Sequence, residues 1–464
     1  MIGGGLAGLS AGVTLAESGW SVRLFEQRPY LGGRATSYVL PDGEHVDNCQ
    51  HVTFGCCTNL EDFYQRVGVA DRIKFFDTLY LRDPQGRQGT LHAGRLPAPL
   101  HLTGSFLSFT PLSLKDKIGV ARAMLAILRS KGEPTPSNGS GEMTMLQWLR
   151  EQGQTQKAID RFWNAVLISA LSDDLDRIDV RYGMQVFWKS VLSNRKGYLM
   201  GVPMVELGTL YEFCREAIEK KGGEVTFRSP VRNLRFEGNE LKSAVFDDRE
   251  ERADAFVLAL PHEALDELLP EAVKRANPEL AHLAKIKDAP ITGVHLWLDR
   301  EVMREPFLTL LDTTTQWIFN KTALYGRKNG SEGEKGQYLQ LVISASYSLL
   351  QKPRQEIVDL CLEEVRQALP AARQAKILKA TVIKEAAATF SPQPGVDRWR
   401  PTQETSVKGM FLAGDWTRTG WPATMEGAVR SGYLAAEAVL RKAGTPQTFV
   451  KPDLPEDGLV GFLS

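Results

Sequence analysis

The glycines near the start of the chain constrain its fold more than any other feature. Gly3, Gly5 and Gly8 are spaced G-x-G-x-x-G, and they lie between Ile2 and an apolar-periodic stretch through Leu15 and Ala16 that stops at Gly19. Such a loop turns tightly and lets the backbone at Leu6, Ala7 and Gly8, the start of a helix, approach a pyrophosphate. Residues 21–26 read as a strand, and Glu26 stands 18 residues after Gly8, where a carboxylate at a strand end can take ribose hydroxyls. Strand, glycine turn, helix and strand make the first βαβ unit of a Rossmann-type sheet. Glu26 would repel a 2′-phosphate, so FAD or NAD fits and NADP does not. Only Met1 and Ile2 precede the glycines, although this strand is central in such a sheet. The expectation is that the natural chain begins several residues earlier, which the intact mass of the native protein would test.

The choice between FAD and NAD comes from further along the chain. Gly32-Gly33-Arg34 follows Glu26-Gln27-Arg28 closely; the paired glycines let the backbone pass beside a cofactor while Arg34 offers a cation to phosphate or flavin. Near the other end, Gly414-Asp415 follows a strand and suits ribityl hydroxyls. A helix opening near Thr424-Met425 can aim its N–H groups at the flavin pyrimidine edge. Along that helix Gly427, Ala428, Ser431, Gly432, Ala435 and Ala436 form one small-residue surface for close packing. Both ends of the sequence therefore point to FAD.

A chain of 464 residues is too long for one compact core, so two domains are expected. Lys plus Arg equals Asp plus Glu at 56 each, which leaves no basic excess for nucleic acid. Five cysteines without a C-x-x-C pair supply neither a disulfide framework nor a metal site, and a reducing cytoplasm is the simplest home. No apolar run reaches the roughly 18 residues of a membrane span.

The expected class is α/β: a Rossmann-type FAD-binding domain with a discontinuous α+β substrate domain. Residues 1–78, 201–262 and 395–443 are assigned to the first, 79–200 and 263–394 to the second, and 444–464 to an irregular tail. Within these, helices are expected over 207–221, 354–369 and 423–442. Strands are expected over 224–228, 231–237, 242–247, 256–260, 292–298 and 337–344. A Gly/Ser-rich patch over 133–142 separates helical stretches. Residues 102–128 combine Phe and Leu with few charges, a composition that can dip into a membrane interface.

The glycine loop, the Gly-Gly-Arg motif and the closing run from Ala413 through Gly432 resemble the amine oxidase and phytoene desaturase superfamily of flavoproteins. Within it, residues 46–51 (VDNCQH), 291–299 (ITGVHLWLD), 316–320 (QWIFN), 342–346 (VISAS) and 421–426 (WPATME) resemble the hydroxysqualene dehydroxylases, or squalene-associated FAD-dependent desaturases. Cys49, Cys57 and Ser172 stand where that pattern usually has glycine, an aromatic residue and asparagine; at Cys49 a shifted backbone is the expected consequence.

The resemblance implies a substrate tunnel leading to the flavin and a reductive reaction, hydroxysqualene to squalene in bacterial hopanoid or C30 isoprenoid synthesis. An external electron donor would be required. The expected cofactor set is Gly3, Gly5, Leu6, Ala7, Gly8, Glu26, Gln27, Arg28, Gly32, Gly33, Arg34, Val231, Gly414, Asp415, Thr424 and Met425. Loss of water from an allylic alcohol needs a proton donor and a shielded cation. His51, four residues after Asp47, is the first candidate acid, with Asp47 to orient it. Trp317, Trp416 and Trp421 are candidates to line the substrate site and face the cation. The protein is expected in the cytoplasm, peripheral on the cytoplasmic face of the inner membrane. The alternatives are a carotenoid-type desaturase running the flavin oxidatively, a flavin amine oxidase, and an FAD-binding scaffold without turnover.

Overall fold

A computed structural model describes residues 1–134, 142–326 and 336–462; most of the Gly/Ser-rich patch over 133–142 lies outside these. Two sheets organise the molecule. The first is parallel and spatially ordered Glu224–Thr226, Arg23–Phe25, Ile2, Phe256–Leu258, Met410–Leu412. Ile2 is central: it bridges Phe25 on one side and Leu258 on the other. Its N–H donates to the Val257 carbonyl at 3.0 Å, and its own carbonyl accepts from Ala259 at 2.8 Å. Phe256, Val257 and Leu258 are buried on both faces, as expected of strands covered by helices.

The helix Leu6–Glu17 leaves the central strand and packs on the last long helix, Met425–Lys442. The small-residue surface read from the sequence is what makes this contact. A Cβ at Gly432 would lie 2.0 Å from Ser10 Oγ and 2.4 Å from the Ala7 carbonyl oxygen. The helix Leu207–Glu219 packs beside Leu6–Glu17, burying Leu207, Leu210, Tyr211, Cys214 and Ile218 at helical spacing. The strands expected over 224–228 and 256–260 end two residues earlier, at Thr226 and Leu258, the one over 231–237 starts at Asn233, the one over 242–247 lies at Glu240–Val245, and Gln337–Ser344 is as expected. The strand expected from 292 starts earlier, at Asp288.

The second sheet has seven strands in the order Ile377–Phe390, Asp288–Leu298, Gln337–Ser344, Trp317–Asn320, Phe307–Leu310, Thr78–Arg82, Gln88–His92. All neighbours are antiparallel except Phe307–Leu310 with Thr78–Arg82. One side of it meets Arg354–Ala368. Near its other strands stands a group of helices that includes Leu114–Arg129, begun by a reciprocal Ser113–Asp116 cap. Two of these helices contain π-helical segments, Ile159–Asn164 and Trp188–Leu192, wider turns that no sequence periodicity announces.

The tail after Gly444 is irregular, but it runs as a strap across both parts of the molecule. Phe449 and Val450 donate to Glu437, Lys451 N–H donates to Asn59, and Asp453 binds Arg430 at 2.8 Å and pairs with Lys189. Further on, Asn194 donates to the Pro455 carbonyl and Leu459 N–H donates to the Ala98 carbonyl.

Candidate functional site

The helix Leu6–Glu17 starts without a side-chain cap and without an acid in its first turn, which leaves its leading N–H groups for an external anion. Gly3 has φ +104°, and a Cβ on Gly8 would sit 2.0 Å from the Gly3 carbonyl oxygen. Glu26 is buried at the strand end, accepting from Gly4 N–H at 2.7 Å and Arg28 N–H at 2.8 Å. Ser229 N–H donates to the Glu26 carbonyl, which brings the segment leading to Val231 alongside Gln27 and Arg28. Gln27 is exposed, and Arg28 reaches the Gly33 carbonyl at 3.3 Å.

The chain ends meet at this cleft. Gly32 N–H donates to the Gly4 carbonyl at 2.9 Å, and Arg34 forms an ion pair with Asp415. Gly414 N–H donates to Ser431 of the last helix, and Thr424 caps that helix by accepting from Gly427 N–H at 3.0 Å. These groups fit FAD: free helix N–H donors for its pyrophosphate, a carboxylate for a ribose, and a cation and a helix N-terminus further along.

A cavity of about 690 Å³ begins at the last helix, within the roughly 300–1,000 Å³ of small-molecule sites. Gln50, Val52, Trp421, Thr424 and Met425 form part of its wall. The wall continues between the two π-helical segments, through Phe162 and Val191, and past Trp317 to Leu107, Leu114 and Ile118. Polar atoms on this wall are mostly satisfied by the protein itself: Trp317 Nε1 donates to Ser169 Oγ at 2.7 Å, and the Tyr198 hydroxyl donates to the Asp77 carbonyl. The indole N–H of Trp421, by contrast, is buried with no hydrogen-bond partner.

Three expectations need correction. Trp416 is not on the cavity wall; it is 2 % exposed and spends its indole N–H on the Leu260 carbonyl at 2.9 Å, which makes it a packing residue. Asp47 does not orient His51. One of its carboxylate oxygens accepts from Ser37 Oγ and Leu207 N–H, the other from Lys321 and the Tyr325 hydroxyl. Burial opposes ionisation of this carboxyl, but the Lys321 charge and these hydrogen bonds together hold it below its ordinary range. His51 Nδ1 lies 3.0 Å from the Cys49 carbonyl, and burial lowers its pKa. A neutral imidazole donating there has no second proton to give, so His51 is poorly placed as an acid. Gln50 and Val52, its neighbours in sequence, are the residues on the cavity wall. Cys49 lies outside the left-handed region that a glycine could use; among the three departures Ser172 has a positive φ, +58° at a helix C-terminus.

Sequence reasoning missed Arg400. It is 1 % exposed, and its guanidinium donates to the carbonyls of Asp415, Trp416, Thr417 and Trp421 while pairing with Asp397 at 2.8 Å. One arginine thus shapes the whole loop between Asp415 and Trp421. Lys321 was missed as well. His262, Glu263 and Asp288 cluster near Arg34; burial, then hydrogen bonding to Asp288, raises the Glu263 carboxyl to about 7.

Two sheets, with a dinucleotide cleft on one and an apolar cavity running from the last helix toward the other, are the arrangement of a flavoprotein oxidoreductase. The chain belongs to the flavin-containing amine oxidoreductase family, whose model matches residues 6–440. It is 28% identical over 469 residues to the 15-cis-phytoene desaturase of Solanum lycopersicum, covering 95% of this chain and 77% of that one. It is 25% identical over 481 residues to the zeta-carotene desaturase of a Synechocystis strain, covering 97% and 98%. Among solved structures, an oxidoreductase from Methanosarcina mazei superposes with a TM-score of 0.72 at 17% identity, covering 95% and 99%. A putrescine oxidase variant superposes with 0.70 at 16%, covering 95% and 98%. FAD is the cofactor of this family.

Proposed function

We propose that the protein is an FAD-dependent oxidoreductase acting on a linear polyisoprenoid, most simply as a carotenoid-type desaturase. The observation that carries this is the long apolar cavity that meets the FAD cleft at Thr424 and Met425, in a chain whose relatives include phytoene and zeta-carotene desaturases. Bound FAD supplies hydride transfer at its ring, which we place at the cavity end between Gln50–Val52 and Thr424–Met425. The protein's part is to bind the apolar chain, exclude water and hold its own polar atoms occupied.

A second reading is reductive dehydroxylation of hydroxysqualene to squalene, the activity that the resemblance of residues 46–51, 291–299, 316–320, 342–346 and 421–426 implies. The two readings separate in one anaerobic experiment on the holoenzyme. Phytoene bleaching the oxidised flavin band supports desaturation. Reoxidation of photoreduced flavin by hydroxysqualene, with squalene appearing, supports dehydroxylation. A flavin that answers to neither excludes both.

The far end of the cavity supports peripheral membrane contact. Leu107, Leu114 and Ile118 on its rim are 59%, 70% and 47% exposed. Within residues 95–129 of the sequence, Arg95, Lys115, Lys117, Arg122 and Arg129 stand against one acid, Asp116, whose carboxylate is used as the helix cap. An exposed apolar stripe on a basic stretch of chain suits an anionic bilayer. Among the described residues no helix is long and apolar enough to cross one. Vesicles containing phosphatidylglycerol are expected to sediment the protein, and the Leu114→Asp/Ile118→Asp variant to lose this at least tenfold with its flavin spectrum unchanged. Equal sedimentation of the variant would remove the contact.

A further inference from the structure

The buried ion pair of Asp47 and Lys321 joins the two parts of the molecule. Asp47 ends a short strand, His45–Asp47, beside the FAD cleft, and Lys321 opens a helical turn that follows the substrate-domain strand Trp317–Asn320. Both side chains are fully buried, 2.8 Å apart. Lys321 Nζ also donates to Gln50 Oε1 at 2.7 Å and lies 4.1 Å from the centre of the Tyr325 ring. Gln50 in turn donates through Nε2 to the His51 carbonyl at 3.0 Å. From the substrate sheet Gln340 donates to the Asp47 carbonyl at 3.2 Å.

A lysine this deep costs several kcal/mol to desolvate, and an apolar pair would often serve stability as well. What the charge does here that an apolar residue cannot is hold two oxygen acceptors at once, one on each side of Asn48 and Cys49. It thereby sets the height and direction of residues 47–52, whose Gln50 and Val52 form the cavity wall. Asn48 fixes the other edge of this segment, donating to the Arg34 carbonyl at 2.7 Å.

We infer that Lys321 is a positioning residue for the flavin: through Gln50 it holds residues 47–52 against the ring from the substrate-domain side. This rests on the placement of the ring given above, between Gln50–Val52 and Thr424–Met425. It does not depend on which polyisoprenoid is turned over.

The test needs no substrate. In holoenzyme, Lys321→Met and Gln50→Leu are each expected to weaken FAD binding about tenfold, the worth of one charge-assisted hydrogen bond, and to change the shape of the visible flavin band. Lys321→Met/Gln50→Leu is expected to do no more than either alone, because both act through one contact. Lys321→Met removes the countercharge of the buried Asp47 carboxylate, so the neutral pair Asp47→Asn/Lys321→Met keeps the question answerable where the single variant does not fold. It is expected to restore the urea midpoint while the band stays perturbed. Recovery of band and FAD affinity along with the midpoint would overturn the inference, leaving Lys321 a purely structural charge. So would a folded Lys321→Met with a native spectrum.

Discussion

Gly8→Ala is expected to give a colourless protein. The added Cβ would lie 2.0 Å from the Gly3 carbonyl oxygen and 3.1 Å from the Ala259 Cβ. The first is a backbone atom in the turn that the helix Leu6–Glu17 closes, so no flexible side chain can move aside. The turn must open, and the leading N–H groups of the helix then leave the position a pyrophosphate needs. A loss of about 3 kcal/mol, the upper range of overpacking costs, is roughly a hundredfold in the FAD dissociation constant. Equilibrium dialysis measures it directly. Since Gly8 is remote from the substrate sheet, the cooperative unfolding of that part should change little. A variant that purifies yellow, with FAD bound as tightly as before, would show that the first helix does not carry the pyrophosphate.

Arg400→Ala is expected to be the most destabilising single change. It would strip the donors from four carbonyls between Asp415 and Trp421 and leave Asp397 without its 2.8 Å partner. Removing one partner from a buried charged network costs roughly 3–5 kcal/mol, read as a drop in the urea midpoint. Arg400→Lys should rescue little, because an ammonium cannot span the fork that one guanidinium fills. The loop it shapes connects Asp415, which pairs with Arg34, to Trp421 on the cavity wall. FAD retention and stability should therefore fall together. A stable Arg400→Ala protein would mean that water satisfies those carbonyls.

The dinucleotide half was legible because its signals are local. Gly3, Gly5 and Gly8 are spaced by backbone geometry, and Glu26 follows at a distance that one helix and one turn dictate. The small residues of the last helix likewise announced close packing, and the structure places Ser10 and Ala7 against Gly432. The interior of the site was not legible, because its interactions span hundreds of residues. Nothing near Lys321 in sequence says that its partners are Asp47 and Gln50, and nothing near Arg400 says that it gathers carbonyls. His51 attracted attention as a titratable group, yet its neighbours Gln50 and Val52 are the residues on the cavity wall. Trp416 and Trp421, five residues apart, look alike in sequence. Only the turn organised by Arg400 makes one a packing residue and the other part of the wall.

The parallel sheet also dictates an order of events. Its central strand, Ile2, lies between Arg23–Phe25 and Phe256–Leu258, its edge comes from Met410–Leu412, and the first helix packs on Met425–Lys442. During synthesis the glycine turn is made some four hundred residues before its covering helix. The substrate sheet, complete once Ile377–Phe390 is made, can assemble before that. Cofactor capture then waits for that helix, and flavin supply acts on a chain whose antiparallel sheet is already formed.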